Sequence, residues 1–142
     1  LSGPKKFADV NPKGNVPTIV LADGTILNEN AATLAWIADQ NLSVGNGAAY
    51  GTSARYELQN VLAWLASELH AAYGILFGAA QSKNAEHTAL GKTKLERVLK
   101  LFENTFLGNK EYLIGSGKEL TVADIYAHII LSWSEIPFIA VD

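Results

Sequence analysis

The rhythm of apolar residues from Thr52 onward limits what this chain can fold into more than any other feature. Leu58, Val61, Leu62, Leu65 and Leu69 recur at i, i+3, i+4, i+7 and i+11, the spacing of one buried helix face. Leu95, Val98, Leu99, Phe102 and Phe106 repeat it in a second helix. A third helix begins at "TVAD", with Thr121 placed as the cap and Asp124 three residues on to reach back to free backbone N–H groups. Leu120 and Ile125 stand where a hydrophobic staple would pack. Val122, Ile125, Ile129, Ile130 and Trp133 are expected to form this helix's buried face. Three such stripes commit residues 52–142 to an all-helical unit.

Before Asn41 the pattern differs. Residues 1–15, rich in Lys, Gly, Pro and Asn, read as a loop. "VPTIVL" (16–21) and the short run 25–27 read as strands joined at Asp23-Gly24, a step suited to a turn that needs positive φ. Asn28 or Asn30 can cap the helix that follows, whose small apolar face is Ala31, Leu34, Ala35 and Ala38. The glycine-rich stretch 42–51 reads as a linker, dividing a hairpin-plus-helix unit (1–41) from the helical unit (52–142).

The 142 residues are 49% apolar and 18% charged, a globular balance. At a net charge of −3, and with no dense block of basic residues, the chain carries no electrostatic footprint for nucleic acid or a membrane surface. No apolar run approaches the roughly 20 residues that cross a bilayer. The lack of cysteine excludes disulfides, thiolate metal sites and a cysteine nucleophile within this chain. With Leu1 first and no Met anywhere, the chain reads as a fragment or a processed product.

Three places hold candidate chemistry. Val16-Pro17 is either a strand-initiating trans step or a cis bond that turns the Val16 backbone N–H and C=O outward, where an extended peptide could pair with them. Glu29-Asn30 is either a favourable helix start or a grip on a ligand with both charges: helix N–H groups for a carboxylate, Glu29 for an ammonium. His70 lies on a stripe of small residues with Ala63, Ser67, Ala71 and Gly74, which permits close helix packing or lines a cleft. No second His stands at metal-ligand spacing, so no metal site is expected.

Order and spacing join these pieces. "NPKGNVPTIVLADGTILNENAATLAWIAD" resembles the hairpin and third helix of glutathione transferases, and "SELHAAYGILF" their fourth helix in the beta (bacterial-type) class. "YLIGSGKELTVADIYAHIILSW" is similar to the family's capping-box helix and the Trp that follows it. The resemblance runs from Phe7 to about Trp133. It implies part of a thioredoxin-like α/β unit followed by the all-α domain, incomplete at both ends.

It also implies roles. Val16 would pair through its backbone with the cysteinyl part of glutathione, and Pro17 would be the cis proline. Glu29 and Asn30 would hold the γ-glutamyl end, and His70 would lie near the same ligand. Trp133 would line the cavity for a hydrophobic co-substrate, while Thr121 and Asp124 form the structural capping box. Ala63 and Ala71 stand where beta-class members often carry Asn and Lys, which removes two polar groups. The resemblance further implies a cytoplasmic homodimer that conjugates glutathione, as co-substrate and with no cofactor, to a small hydrophobic electrophile. The thiol-activating residue would lie before Leu1, so no residue of this chain would be catalytic. The alternative is a non-catalytic binding or assembly subunit of the same fold.

Overall fold

A computed structural model of the chain describes residues 6–40 and 48–139. Most of the linker expected over 42–51 therefore lies outside the described residues.

The expected opening loop contains one helical turn, α1 (Phe7–Val10). The Asp9 carboxylate accepts from the Lys6 N–H (3.1 Å), which satisfies a donor that a helix start leaves open. The hairpin follows. Strands β1 (Ile19–Val20) and β2 (Ile26–Leu27) pair antiparallel, Ile19 opposite Leu27 and Val20 opposite Ile26. They are shorter than their β-branched runs. At the turn, Gly24 donates to the Leu21 carbonyl (2.9 Å) with φ +88°, and Leu21 donates to the Thr25 carbonyl (2.8 Å). This is a three-residue loop whose glycine takes the left-handed conformation.

Helix α2 (Asn30–Asp39) starts differently from expectation. Its N-cap is Glu29, and no side chain caps it. Asn28 is occupied elsewhere, donating to Asn11 Oδ1 (3.1 Å). The small face of α2 packs as expected: Ala38 is fully buried, with Ala31, Leu34 and Ala35 against the core.

The remaining elements are α3 (Ser53–Trp64), a π-helical turn (Leu65–His70), α4 (Ala71–Ser82), α5 (Ala85–Leu101), a second π-helical turn (Phe102–Leu107) and α6 (Val122–Ser132). Thr52 caps α3 by accepting from the Arg55 N–H (3.2 Å), and Asn84 caps α5 by accepting from His87 (3.0 Å). Leu58, Val61, Leu62, Leu65 and Leu69 all enter the core, joined by Leu95, Val98 and Phe102 from α5 and the turn after it. Trp64, the last residue of α3, packs against Phe106 of the second π-helical turn, ring centroids 4.3 Å apart and tilted by 32°. As one continuous helix, Ser53–Ser82 is long and apolar enough by composition to cross a membrane. The sequence reading found no such run because Ser67, Glu68 and His70 interrupt its apolar letters. In the fold the leucines of this helix form the core.

The expected buried face of α6 needs correction. Val122 and Ile130 are buried, but Ile125 and Ile129 are 43% and 52% exposed. Their places in the core are taken by Ala123, Tyr126 and Ala127. The face that carries Val122, Ala123, Tyr126, Ala127 and Ile130 meets the interior, so Ile125 and Ile129 turn outward.

Thr121 and Asp124 make reciprocal contacts at the start of α6. Asp124 Oδ2 accepts from the Thr121 N–H (2.7 Å) and hydroxyl (2.8 Å), and Thr121 Oγ1 accepts from the Ala123 N–H (3.3 Å). A further bond lies beyond the local motif: Asp124 Oδ1 accepts from the N–H of buried Leu113 (2.7 Å). The carboxylate thus ties the preceding loop to α6.

Candidate functional site

One cleft of about 240 Å³ is walled on one side by Val16, Pro17, Asn30 and Leu34 and on the other by His70 and Trp133. Its floor is Ile125, Tyr126 and Ile129 of α6. Two segments far apart in sequence therefore meet here, the loop and helix start of the N-terminal region and the π-helical turn of the long helix.

The loop is held by Asn11, whose side chain is fully buried. Its amide donates to the Asn15 carbonyl (2.7 Å) and the Thr18 hydroxyl (3.0 Å), and its oxygen accepts from the Lys13 N–H and the Asn28 amide (both 3.1 Å). This cluster fixes Val16-Pro17, whose peptide bond is cis, beside the start of α2. Val16 is 79% exposed at the cleft's rim.

His70 ends the π-helical turn, a local widening of the helix that changes the direction in which side chains leave it. His70 Nδ1 lies 2.8 Å from the Tyr126 hydroxyl, and its ring meets the edge of Trp133 at 4.9 Å. Packing against these rings partly desolvates His70, which otherwise stays exposed, and this lowers its pKa below 6.5 and favours the neutral imidazole. Burial also raises the Tyr126 pKa, with the Asn30 side chain acting in the opposite direction, so the phenol keeps its proton. Which of the two donates is set by the His70 tautomer. Beyond Trp133 the aromatic wall continues through Phe77 (5.5 Å) and then Phe138 (6.0 Å from Phe77).

Of the residues singled out in the sequence, the cleft unites Val16, Pro17, Asn30, His70 and Trp133. Glu29 is not in its lining. The Glu29 side chain is 70% exposed and pairs with Lys13. Ala63, Ser67, Ala71 and Gly74, the rest of the small-residue stripe, are exposed and do not line the cleft. Thr121 lies outside it, and Asp124 borders a larger hollow of about 450 Å³ between Phe102, Leu113 and α6. In that hollow the Asp124 carboxylate is already engaged by Leu113 and Thr121.

Sequence reasoning missed Tyr126, Leu34 and the cleft-facing role of Ile125 and Ile129. Tyr126 stands seven residues before Trp133, two helical turns along the same face, and that spacing was the available signal.

A titration of His70 followed by NMR is expected to show a midpoint below 6.5. Because the folded state disfavours the proton, stability falls as pH drops from about 6.5 through the lowered value. Trp133→Ala opens one wall of the His70 environment and should move the midpoint back up toward 6.5. A midpoint already at 6.5 in the unmodified protein would contradict the desolvated geometry.

The chain matches the family model "Glutathione S-transferase, C-terminal domain" over residues 65–142. It is 32% identical over 133 residues to glutathione S-transferase GstA of Escherichia coli O157:H7, an alignment covering 94% of this chain and 63% of that protein. Among solved structures, it is similar to a sphingomonad glutathione S-transferase complexed with glutathione (34% identity, TM-score 0.83). It is also similar to the beta-class enzyme of Sphingomonas chungbukensis (35% identity, TM-score 0.84). Each similarity covers 97% of this chain and 65% of the other. The chain thus spans a little under two thirds of the length of these relatives. The hairpin with α2 is the partial thioredoxin-like unit of their fold, and the helices from Ser53 onward belong to its all-α domain. By this match over more than half its length, with bacterial beta-class proteins among its relatives, the chain belongs to the glutathione S-transferase family.

Proposed function

We propose that the cleft holds glutathione and that the chain serves a glutathione transferase, which conjugates the thiolate to a small hydrophobic electrophile. The observation that carries this reading is the convergence of Val16, Pro17, Asn30, His70 and Trp133 on one 240 Å³ cleft. Within it, the exposed Val16 backbone would pair with the cysteinyl part of an extended tripeptide as an added strand does. The γ-glutamyl carboxylate would meet the first-turn N–H groups of α2, where the helix dipole favours an anion and no side chain serves as a cap. Glu29, turning from Lys13, would take the ammonium, and His70 would border the ligand from the other wall. The apolar floor of Ile125 and Ile129 and the ring of Trp133 suit the hydrophobic co-substrate. The same reading assigns residues 1–41 to glutathione binding and 52–142 to the helical domain, within a cytoplasmic homodimer.

Retention on immobilised glutathione, followed by calorimetric titration, tests this reading. Glu29→Ala is expected to weaken binding about three- to tenfold, a modest loss because the carboxylate is well exposed and its partner would be screened. Unchanged affinity would remove Glu29 from the site. A complete lack of glutathione binding by the unmodified protein would overturn the proposal.

A further inference from the structure

The two walls of the cleft belong to elements that also meet at a second, distant point. Asp39 closes α2, the helix whose other end carries Asn30, and Arg55 lies in the first turn of α3, which continues to His70. The Asp39 and Arg55 side chains are 14% and 4% exposed and form a two-pronged ion pair. Arg55 Nη1 meets Asp39 Oδ1, and Arg55 Nη2 lies 2.9 Å from Asp39 Oδ2. Tyr50 completes the group, its hydroxyl donating to Asp39 while its ring lies 4.5 Å from the Arg55 guanidinium carbon. The Arg55 Nε has no hydrogen-bond partner among the described residues, so the two terminal nitrogens make all of the pairing.

A planar fork against a carboxylate fixes angle as well as distance, which a lysine cannot do. The pair joins residues 16 positions apart, from elements on opposite sides of the cleft, and is otherwise remote from it. We propose that the Asp39–Arg55 pair, closed over by Tyr50, is a positioning device that sets the separation between the Val16–Asn30 wall and the His70–Trp133 wall. Resting on the glutathione reading above, the inference makes these three residues determinants of affinity without contact to the ligand. If α2 pivots at its end, Asn30 moves relative to His70, and a ligand gripped by both loses one of them.

The chain contains no cysteine, so cysteines introduced at exposed Ala32 on α2 and Ser132 on α6 can carry a unique pair of spin labels. The expected result is a narrow distance distribution in the parent chain. Arg55→Lys should broaden it, at a temperature where melting curves show both proteins folded. Glutathione affinity should fall about tenfold in Arg55→Lys, and Asp39→Glu, which keeps charge and hydrogen bonding, should stay nearer the parent. Should Arg55→Lys fail to fold, Tyr50→Phe is read in its place, since it removes only one hydroxyl from a residue 70% exposed; it should broaden the distribution in the same direction. An unchanged distribution in the folded variant overturns the proposal. A parent that binds no glutathione, with a distribution that still broadens in Arg55→Lys, overturns the glutathione reading and leaves the positioning role supported.

Discussion

Asp124→Ala is expected to lower the free energy of unfolding by about 3 kcal/mol, well beyond the roughly 1 kcal/mol of a lost helix cap. The difference comes from Leu113. A cap alone serves the first turn of α6, but this carboxylate also accepts from the Leu113 N–H at 2.7 Å, and Leu113 is buried. Removing it leaves the backbone donors of Leu113 and Thr121 without their acceptor in places that water reaches poorly. In a domain of this size the melting midpoint should fall about 10 °C. Asp124→Asn, which keeps one acceptor oxygen, should fall between the two. If alanine costs no more than about 1 kcal/mol, the tie to Leu113 contributes nothing. Thermal and urea denaturation measure this directly.

Arg55→Met should cost about 3 to 5 kcal/mol, because it abandons a largely buried carboxylate. Asp39 sits in the last turn of α2, where the helix dipole disfavours an anion, so it depends on the guanidinium more than an acid at a helix start would. Changing both members, Asp39→Leu with Arg55→Met, should recover much of the loss, since neither charge is then stranded. The acid response carries the same signature. The hydrogen bonds from Arg55 hold the Asp39 carboxyl below its ordinary 3.8, with Tyr50 adding to the effect. The folded state thus binds this proton less readily than the unfolded chain. The resulting stability is fully present above the ordinary carboxylate value and is lost as pH falls below 3.8 through the lowered one. Arg55→Met should flatten that part of the acid-denaturation curve. A curve of unchanged slope would deny the linkage.

Much of this molecule was legible in the letters because its signals are local. The leucines of α3 and the π-helical turn, and the Thr-x-x-Asp start of α6, are decided by neighbours within one or two turns. The errors have a physical origin too. Nearly every position of α6 is apolar, so periodicity could not say which side meets the core, and Ile125 and Ile129 were placed inside. Tertiary packing decided, and it buried the face of Val122, Ala123, Tyr126, Ala127 and Ile130. Asn28 was free to cap α2 on paper but is claimed by Asn11, 17 residues away. Arg55 offered one unread signal: it lies on the same stripe as Leu58 and Leu62, and a lone charge on a buried face needs a partner. Sequence alone could not say that the partner was Asp39.

The division of labour around α6 bears on how such a cleft can change over time. Val122, Ala123, Tyr126, Ala127 and Ile130 are locked into the interior, and Asp124 anchors the helix start. Ile125 and Ile129 project into the cleft while remaining half exposed, so their replacement disturbs little packing. A lineage could therefore revise the pocket floor at these two positions and acquire a new choice of apolar ligand, while the helix that carries them keeps its place. Drift toward new substrates should leave its record at 125 and 129 before it touches the frame.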